Sequence, residues 1–327
     1  TTGGIVGVVK DADGAAVPGA TAKAVNTATN AEFTTVSGDT GQYVLRGLPV
    51  GPYTLTVELS GFQTFKRTDI VIRVNEEVRI DPALVIGAIT ETVVISGVAA
   101  SVDTSSSTLK AVVDQQRIES LPLNGRNPTA LLQTLSSVQT DTTSLTSGAT
   151  YPGVVPVSSN GARGNTTNYI LDGGSNNDHY SNAPNPMPNP DALQEFSVQT
   201  NNFSAEYGRN VGAIVNAVTR SGTNQYHGLG FWYVRDHNLN ANNFFTPGVD
   251  DGLKRKQYGG TFGGAIKQNR TFFFSSYQGT NEEKTPRTTT KLVPTAAQRA
   301  GDFSALGRQL RNPATGQPFA NNQIPVS

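Results

Sequence analysis

Between Gly3 and about Gly87 apolar and polar residues alternate in short runs: GIVGVVKD, GATAKAVN, EFTTVS, QYVLRG, YTLTVELS, FKRTDIVIRV and EEVRIDPALVI. The turn signals DADG, SGDTG, PVGP and SGF separate them. A period of two is what a strand needs when one face meets a core, and turns at this spacing predict a small β-sandwich. Tyr53, Leu55, Val57 and Leu59 are expected to face that core, with Thr54, Thr56 and Glu58 outward. ETVVISG (Glu91–Gly97) is also β-branched, but the following SVDTSSS (Ser101–Ser107) is polar and low in complexity and reads as a flexible linker. ETVVISG is therefore either the last strand of the sandwich or a strand with no evident sheet to join.

Beyond the linker the pattern changes. Asp114–Leu135, DQQRIESLPLNGRNPTALLQTL, has apolar residues at helical spacing on both sides of a Pro-Leu-Asn-Gly turn and predicts two short helices. SNGARGNTTNYILDGGSNND (Ser159–Asp178), a Pro- and Asn-rich loop (Asn182–Pro190) and DALQEFSVQTNNFSAEYGRNVGAIVNAVTRSGTN follow. In the last of these Phe196 and Val198 face one way, and Ile214, Asn216 and Val218 indicate a further strand.

After Asn224 come Gln225–Asp236, Gln257–Ile266 and Arg270–Asn281, each about ten residues, the length of a tilted strand across a bilayer. Phe231, Trp232, Tyr233, Tyr258, Phe262 and Phe272 to Phe274 are expected to supply outer apolar contacts and an aromatic girdle. A long polar stretch, His237–Lys256, joins the first two, and only Lys267–Asn269 joins the others. Outer-membrane barrels have long external loops and short periplasmic turns, so the first strand should run outward and residues 282–327 should form the next external loop. Strands of a soluble sheet are the plainer alternative.

Composition narrows the class. The 327 residues leave room for two or three domains. Lys plus Arg equals Asp plus Glu at 25 each, so nothing advertises a nucleic-acid partner. Charged residues are only 15% and Gly numbers 34, which favours a mainly β fold. The chain has no cysteine, which removes disulfides, thiol nucleophiles and thiolate metal sites. Its longest apolar run is about Ala83–Ile89, too short for a transmembrane helix, though a β-barrel is not excluded. The opening TTGGIVGVV carries no charged, apolar leader, as in a cytosolic protein or one already processed.

Catalytic and metal motifs are sparse. His179, His227 and His237 stand apart and are expected at the surface, with no H-E-x-x-H pair. DADG (Asp11–Gly14) starts like a calcium loop, but Ala22 occupies the position of the bidentate Glu. Asp172–His179, DGGSNNDH, is either an oxygen-rich cation loop or simply polar. With no P-loop and no G-x-S-x-G, the chain is expected to be neither an enzyme nor a cofactor or metal carrier.

Two resemblances organise these segments. VPGATAKAVN with SGDTGQYVLRGLPVGPYTLTVELSGF resembles the carboxypeptidase regulatory-like domain, which implies a transthyretin-like sandwich without catalytic residues, acting as a spacer or interaction module. SLPLNGRN (Ser120–Asn127), NGARGNTTNYILDG (Asn160–Gly173) and EFSVQTNNFSAEYGRNVGAIVNAVTRSGTN (Glu195–Asn224) are similar to the plug domain of TonB-dependent outer-membrane transporters of the Oar-like group. The resemblance implies a sandwich over residues 1–89, a TonB-box segment and linker over 90–110, a plug over 111–224 and first barrel strands over 225–327. It makes Glu91, Thr92, Val93, Val94 and Ile95 the TonB box, expected to add as a strand to the partner protein TonB. It places Arg126, Arg163 and Arg209 in plug motifs, for contacts to barrel wall or loops. It further implies a Gram-negative outer membrane, its lipid, and an external ligand of unknown identity. Such transporters close about 22 strands around the plug, so three strands imply either a longer protein or strand partners from other chains. The rival expectation is a secreted or cell-surface structural protein that self-assembles into filaments through unpaired strand edges. A soluble periplasmic binding module is a third.

Overall fold

The structure, a computed structural model, describes residues 2–87, 92–95, 108–121, 123–140, 156–208, 210–241, 244, 252–283 and 293–325. The N-terminal region is a sandwich of strands β1 (Thr2–Val8), β2 (Lys10–Asp11), β3 (Thr21–Asn26), β4 (Glu32–Val36), β5 (Gln42–Pro49), β6 (Gly51–Glu58), β7 (Thr64–Ile72), β8 (Glu77–Arg79), β9 (Ala83–Leu84) and β10 (Thr92–Ile95). Their sheets run β5-β1-β8 and β10-β7-β6-β3-β4, with β2 and β9 as a small separate pair. Tyr53, Leu55 and Val57 are wholly buried, and Leu59 packs partly buried on the same core. Thr54 and Thr56 are half-buried rather than exposed because β6 lies between β7 and β3, whose side chains shade its outer face. Tyr43, also buried, donates its hydroxyl to the Ile80 carbonyl at 2.8 Å, so the ring fills the core without stranding a polar group. Gly7 permits the close strand approach here, since a Cβ on it would lie 1.7 Å from the Ile80 carbonyl oxygen.

Thr92–Ile95 is not a strand without a sheet. It pairs in parallel with β7, Thr92 opposite Thr64 and Ile95 opposite Arg67, and forms one edge of the five-stranded sheet. The reason lies in β7, nine residues long, whose outer backbone groups would otherwise remain unpaired. Glu91 lies outside the described residues.

The central region is built on the sheet β11-β16-β17-β14-β15. Its strands in chain order are β11 (Leu109–Asp114), β12 (Val138–Thr140), β13 (Val157–Ser159), β14 (Asn168–Leu171), β15 (Gly174–Ser175), β16 (Leu193–Asn201) and β17 (Ile214–Thr219), β12 and β13 forming a separate pair. One of the two expected helices is present, α1 (Gln115–Ser120), its first turn capped by the Asp114 carboxylate on Arg117 N–H at 3.0 Å. The other is a 3-10 segment, Pro128–Thr134. It is closed by i to i+3 bonds such as Ala130 N–H to Asn127 O at 3.1 Å rather than by α-helical ones. Ile118, Leu131 and Leu132 nonetheless reach the same core as Val113, Phe196, Val198 and Val215.

The last region is an open three-stranded sheet among the described residues: β18 (His227–Asp236), β19 (Lys254–Lys267) and β20 (Thr271–Glu283), in that order. Alternation divides its aromatics between two faces. One face carries the pairs Trp232–Tyr258, Tyr226–Phe262 and Phe262–Phe273, with ring centroids 5.4, 6.1 and 5.5 Å apart. Glycines lie beneath these rings: a Cβ on Gly264 would stand 2.2 Å from Tyr226 and one on Gly279 2.7 Å from Tyr258. Phe231 and Tyr233 correct the expectation of outer contacts, because strand parity sends them to the opposite face, against the plug. Phe274 likewise joins His227 rather than Phe273.

These regions, through Tyr233 and with Lys256–Asn281, make one compact unit; Val234–Arg255 with Glu282–Ser327 makes a second. Within the second, a capping box of Thr295 and Gln298 opens the short helix Ala296–Arg299. The buried Asn322 amide accepts Leu310 N–H at 2.8 Å and donates to the Arg308 carbonyl at 3.0 Å. No described helix is long and apolar enough to cross a membrane.

Candidate functional site

The motif SLPLNGRN ends in a turn at which Arg126 takes a left-handed backbone, φ 55. Its guanidinium is buried and meets four partners. It forms an ion pair with Asp191, from the 3-10 turn Pro190–Ala192. Nε donates to Gln278 Oε1 on β20 at 3.1 Å. The charge lies 4.2 Å from the Phe231 ring centroid and 4.3 Å from that of Tyr233, both on β18. Gln257 on β19 donates to the Gly125 carbonyl at 3.1 Å, and Asn189 donates to Ser276 Oγ on β20 at 2.8 Å. One plug turn and one plug loop thus grip all three strands. A guanidinium suits the position because it offers a planar face to the rings while its edge donates to the carboxylate. The ion pair is buried, with side chains only 9% and 7% exposed, so losing either member leaves the other's charge uncompensated away from water.

The plug sheet is buried on its polar face as well. Glu195, Ser197 and Gln199 on β16, and Asn216 opposite Ser197 on β17, are all buried. The sandwich turn Arg73–Glu76 supplies the contacts here. Val74 N–H donates to the Glu195 carboxylate, Asn216 Nδ2 to Asn75 Oδ1 at 3.4 Å, and Lys110 Nζ to the Asn75 carbonyl at 3.2 Å. Burial pushes the Glu195 carboxyl up to about 7, with Glu76 and Asp114 acting the same way and the Val74 N–H and Arg73 opposing them. Asn75 Nδ2 and Asn216 Oδ1 are buried without partners, one a donor and the other an acceptor. A small shift would close the two amides into a doubly bonded pair.

The remaining sequence candidates are dispersed. Arg163 is exposed at the start of the turn Gly164–Thr166, where its carbonyl accepts Thr166 N–H at 3.0 Å. Arg209 lies outside the described residues. Thr92–Ile95 sits on the sandwich edge, with Val94 58% exposed. The carboxylates of DGGSNNDH bind within the plug: Asp172 accepts from Thr219 N and Oγ1, both at 2.8 Å, and Asp178 accepts from Ser181. Among the described residues no three His, Asp or Glu converge as a metal site. Sequence reading missed Asp191, Glu195, Asn75 and Gln278. The one available signal was Glu195 itself, an acid inside the strand LQEFSV.

Sequence models of three families match in order along the chain: the carboxypeptidase regulatory-like domain over residues 4–85, the TonB-dependent receptor plug domain over 101–214 and an outer membrane beta barrel domain over 218–327. In the order of its matched domains the chain is similar to TonB-dependent receptors. A curated relative, the TonB-dependent transporter Oar of Myxococcus xanthus, is 28% identical over 297 residues, covering 84% of this chain and 26% of its own length. The chain therefore spans about a quarter of that relative. Among solved structures, the siderophore receptor PirA from Acinetobacter baumannii aligns at 17% identity and a TM-score of 0.43, over 56% of this chain and 26% of that one. A mutant ferric enterobactin receptor, PfeA of Pseudomonas aeruginosa, aligns at 14% identity and 0.36, over 49% and 23%. Two of the three matched models describe parts of outer-membrane proteins, a TonB-dependent receptor plug and an outer membrane beta barrel.

Proposed function

We propose that the receptor chain supplies the sandwich, the plug and the first barrel strands of an outer-membrane transporter whose plug is displaced by TonB to pass an external ligand. The observation that carries the reading is the buried Arg126, which fixes the plug to the inner face of β18 and β20 while aromatics occupy the opposite face. A plug held by a few polar contacts is one that pulling can shift. TonB would add as a further strand beside β10, whose outer edge has no described partner. Glu91, Thr92, Val93, Val94 and Ile95 would engage it through main-chain hydrogen bonds, leaving the β10–β7 ladder intact.

The test is binding of the purified TonB C-terminal domain to the receptor in detergent. Val94→Pro removes a backbone donor and fixes φ, and should abolish binding, whereas Val94→Thr should preserve it. Equal binding by both variants would show that strand addition is not the mode of engagement.

A further inference from the structure

Besides the turn Arg73–Glu76, the sandwich touches the rest of the receptor at a second tip. Asn224, between plug and β18, donates its N–H to the Ala28 carbonyl at 3.0 Å. Asn30 Nδ2 and Asn224 Nδ2 both donate to Asn269 Oδ1 at 2.8 Å, and Asn269 N–H returns a 2.8 Å bond to Asn224 Oδ1. Asn269 belongs to the hairpin joining β19 and β20, so one tip holds the barrel strands while the other holds the plug sheet.

The backbone of these tips makes the choice of asparagine informative. Asn30, Asn75 and Asn269 have φ of 59, 56 and 62, the left-handed region in which glycine is the least strained residue. Asparagine also tolerates that region, so its presence in a turn alone needs no explanation. Here, however, all three amides reach across to another part of the chain rather than closing their own turns. The bonds are polar, which water can replace when the parts separate and which can re-form afterwards.

We infer that the sandwich is a latch, clamping the plug to the base of the first barrel strands, and that the plug moves only after its two asparagine-bearing tips release. Strand β10 is an edge of the same sandwich, so a pull applied there reaches the latch before the plug core. The purpose of this device rests on the transport reading; the existence of the latch does not.

The test is hydrogen exchange on the full-length receptor in lipid nanodiscs, comparing wild type with the triple variant Asn30→Gly, Asn75→Gly, Asn269→Gly. Glycine keeps each turn's backbone and removes only the amide. The Val74 and Asn224 N–H groups are expected to exchange at least tenfold faster, with protection in β6 and β16 unchanged. If β6 also loses protection, the double variant Asn30→Gly, Asn269→Gly decides on the Asn224 amide alone. Unaltered exchange at these amides would overturn the latch. TonB-domain binding to the wild-type sample separates the two ideas: no binding by wild type together with accelerated exchange in the variant refutes only the transport reading, and binding by wild type with unaltered exchange in the variant refutes only the latch.

Discussion

Replacing Glu195 by Gln tests whether the polar seam under the sandwich carries a buried charge. The side chain is 5% exposed, and burial raises its carboxyl from 4.5 to about 7. Between those values the folded state holds a proton that the unfolded chain has released. Stability therefore falls as pH rises from 4.5 and is lowest above 7. At about 1.4 kcal/mol per pH unit, the interval amounts to about 3 kcal/mol. Gln is close in shape, still accepts the Val74 N–H through Oε1, and has no charge to desolvate. The variant should match wild type at pH 4.5 and gain up to about 3 kcal/mol at pH 8, a protection factor on the order of a hundredfold. Native-state hydrogen exchange of β16 and β17 amides, corrected for intrinsic rates, reads this directly. A variant less stable than wild type at pH 8 would mean that Val74 N–H and Arg73 favour the carboxylate more than burial penalises it, refuting the assignment.

Two further outcomes follow from packing. Arg126→Lys keeps the charge but loses the planar contact with Phe231 and Tyr233 and the bond to Gln278, while Arg126→Leu removes the cation that faces the buried Asp191 carboxylate. Leu should cost about 3–5 kcal/mol and Lys less, read as lost exchange protection around Gly125 and Asp191; equal costs would show that the retained charge contributes nothing, and a Lys variant as stable as wild type that the rings contribute nothing. Gly7→Ala would force a Cβ against the Ile80 carbonyl, so the sandwich should lose at least about 1–3 kcal/mol in thermal unfolding while the plug keeps its protection.

The sandwich was legible because its strands bury one face each: Tyr53, Leu55 and Val57 announce β6 by alternation alone. The barrel strands were found by length and aromatic content, but the division of Phe231 and Tyr233 from Trp232 needed parity to be applied residue by residue. β16 was half read. Phe196 and Val198 share one face, as alternation indicates, but nothing in alternation tells that the polar face of Glu195, Ser197 and Gln199 is also buried, because it cannot distinguish water from a polar neighbour. The same blindness hid the asparagine contacts, which join residues as far apart as Asn30 and Asn269. A short strand such as Thr92–Ile95 carries its propensity in its sequence and its partner only in the fold.

The pairing of rings with glycines on β18 to β20 determines the relief of the outer surface. Tyr226 lies over Gly264 and Tyr258 over Gly279, so each ring rests flat against backbone instead of standing off it. Acyl chains beside such a wall would meet rings seated on the backbone at these two points rather than rings raised on the side chains of a neighbouring strand. The same flatness brings aromatic surface close to the peptide dipoles of the neighbouring strand and shields that ladder from any water that follows the headgroups inward.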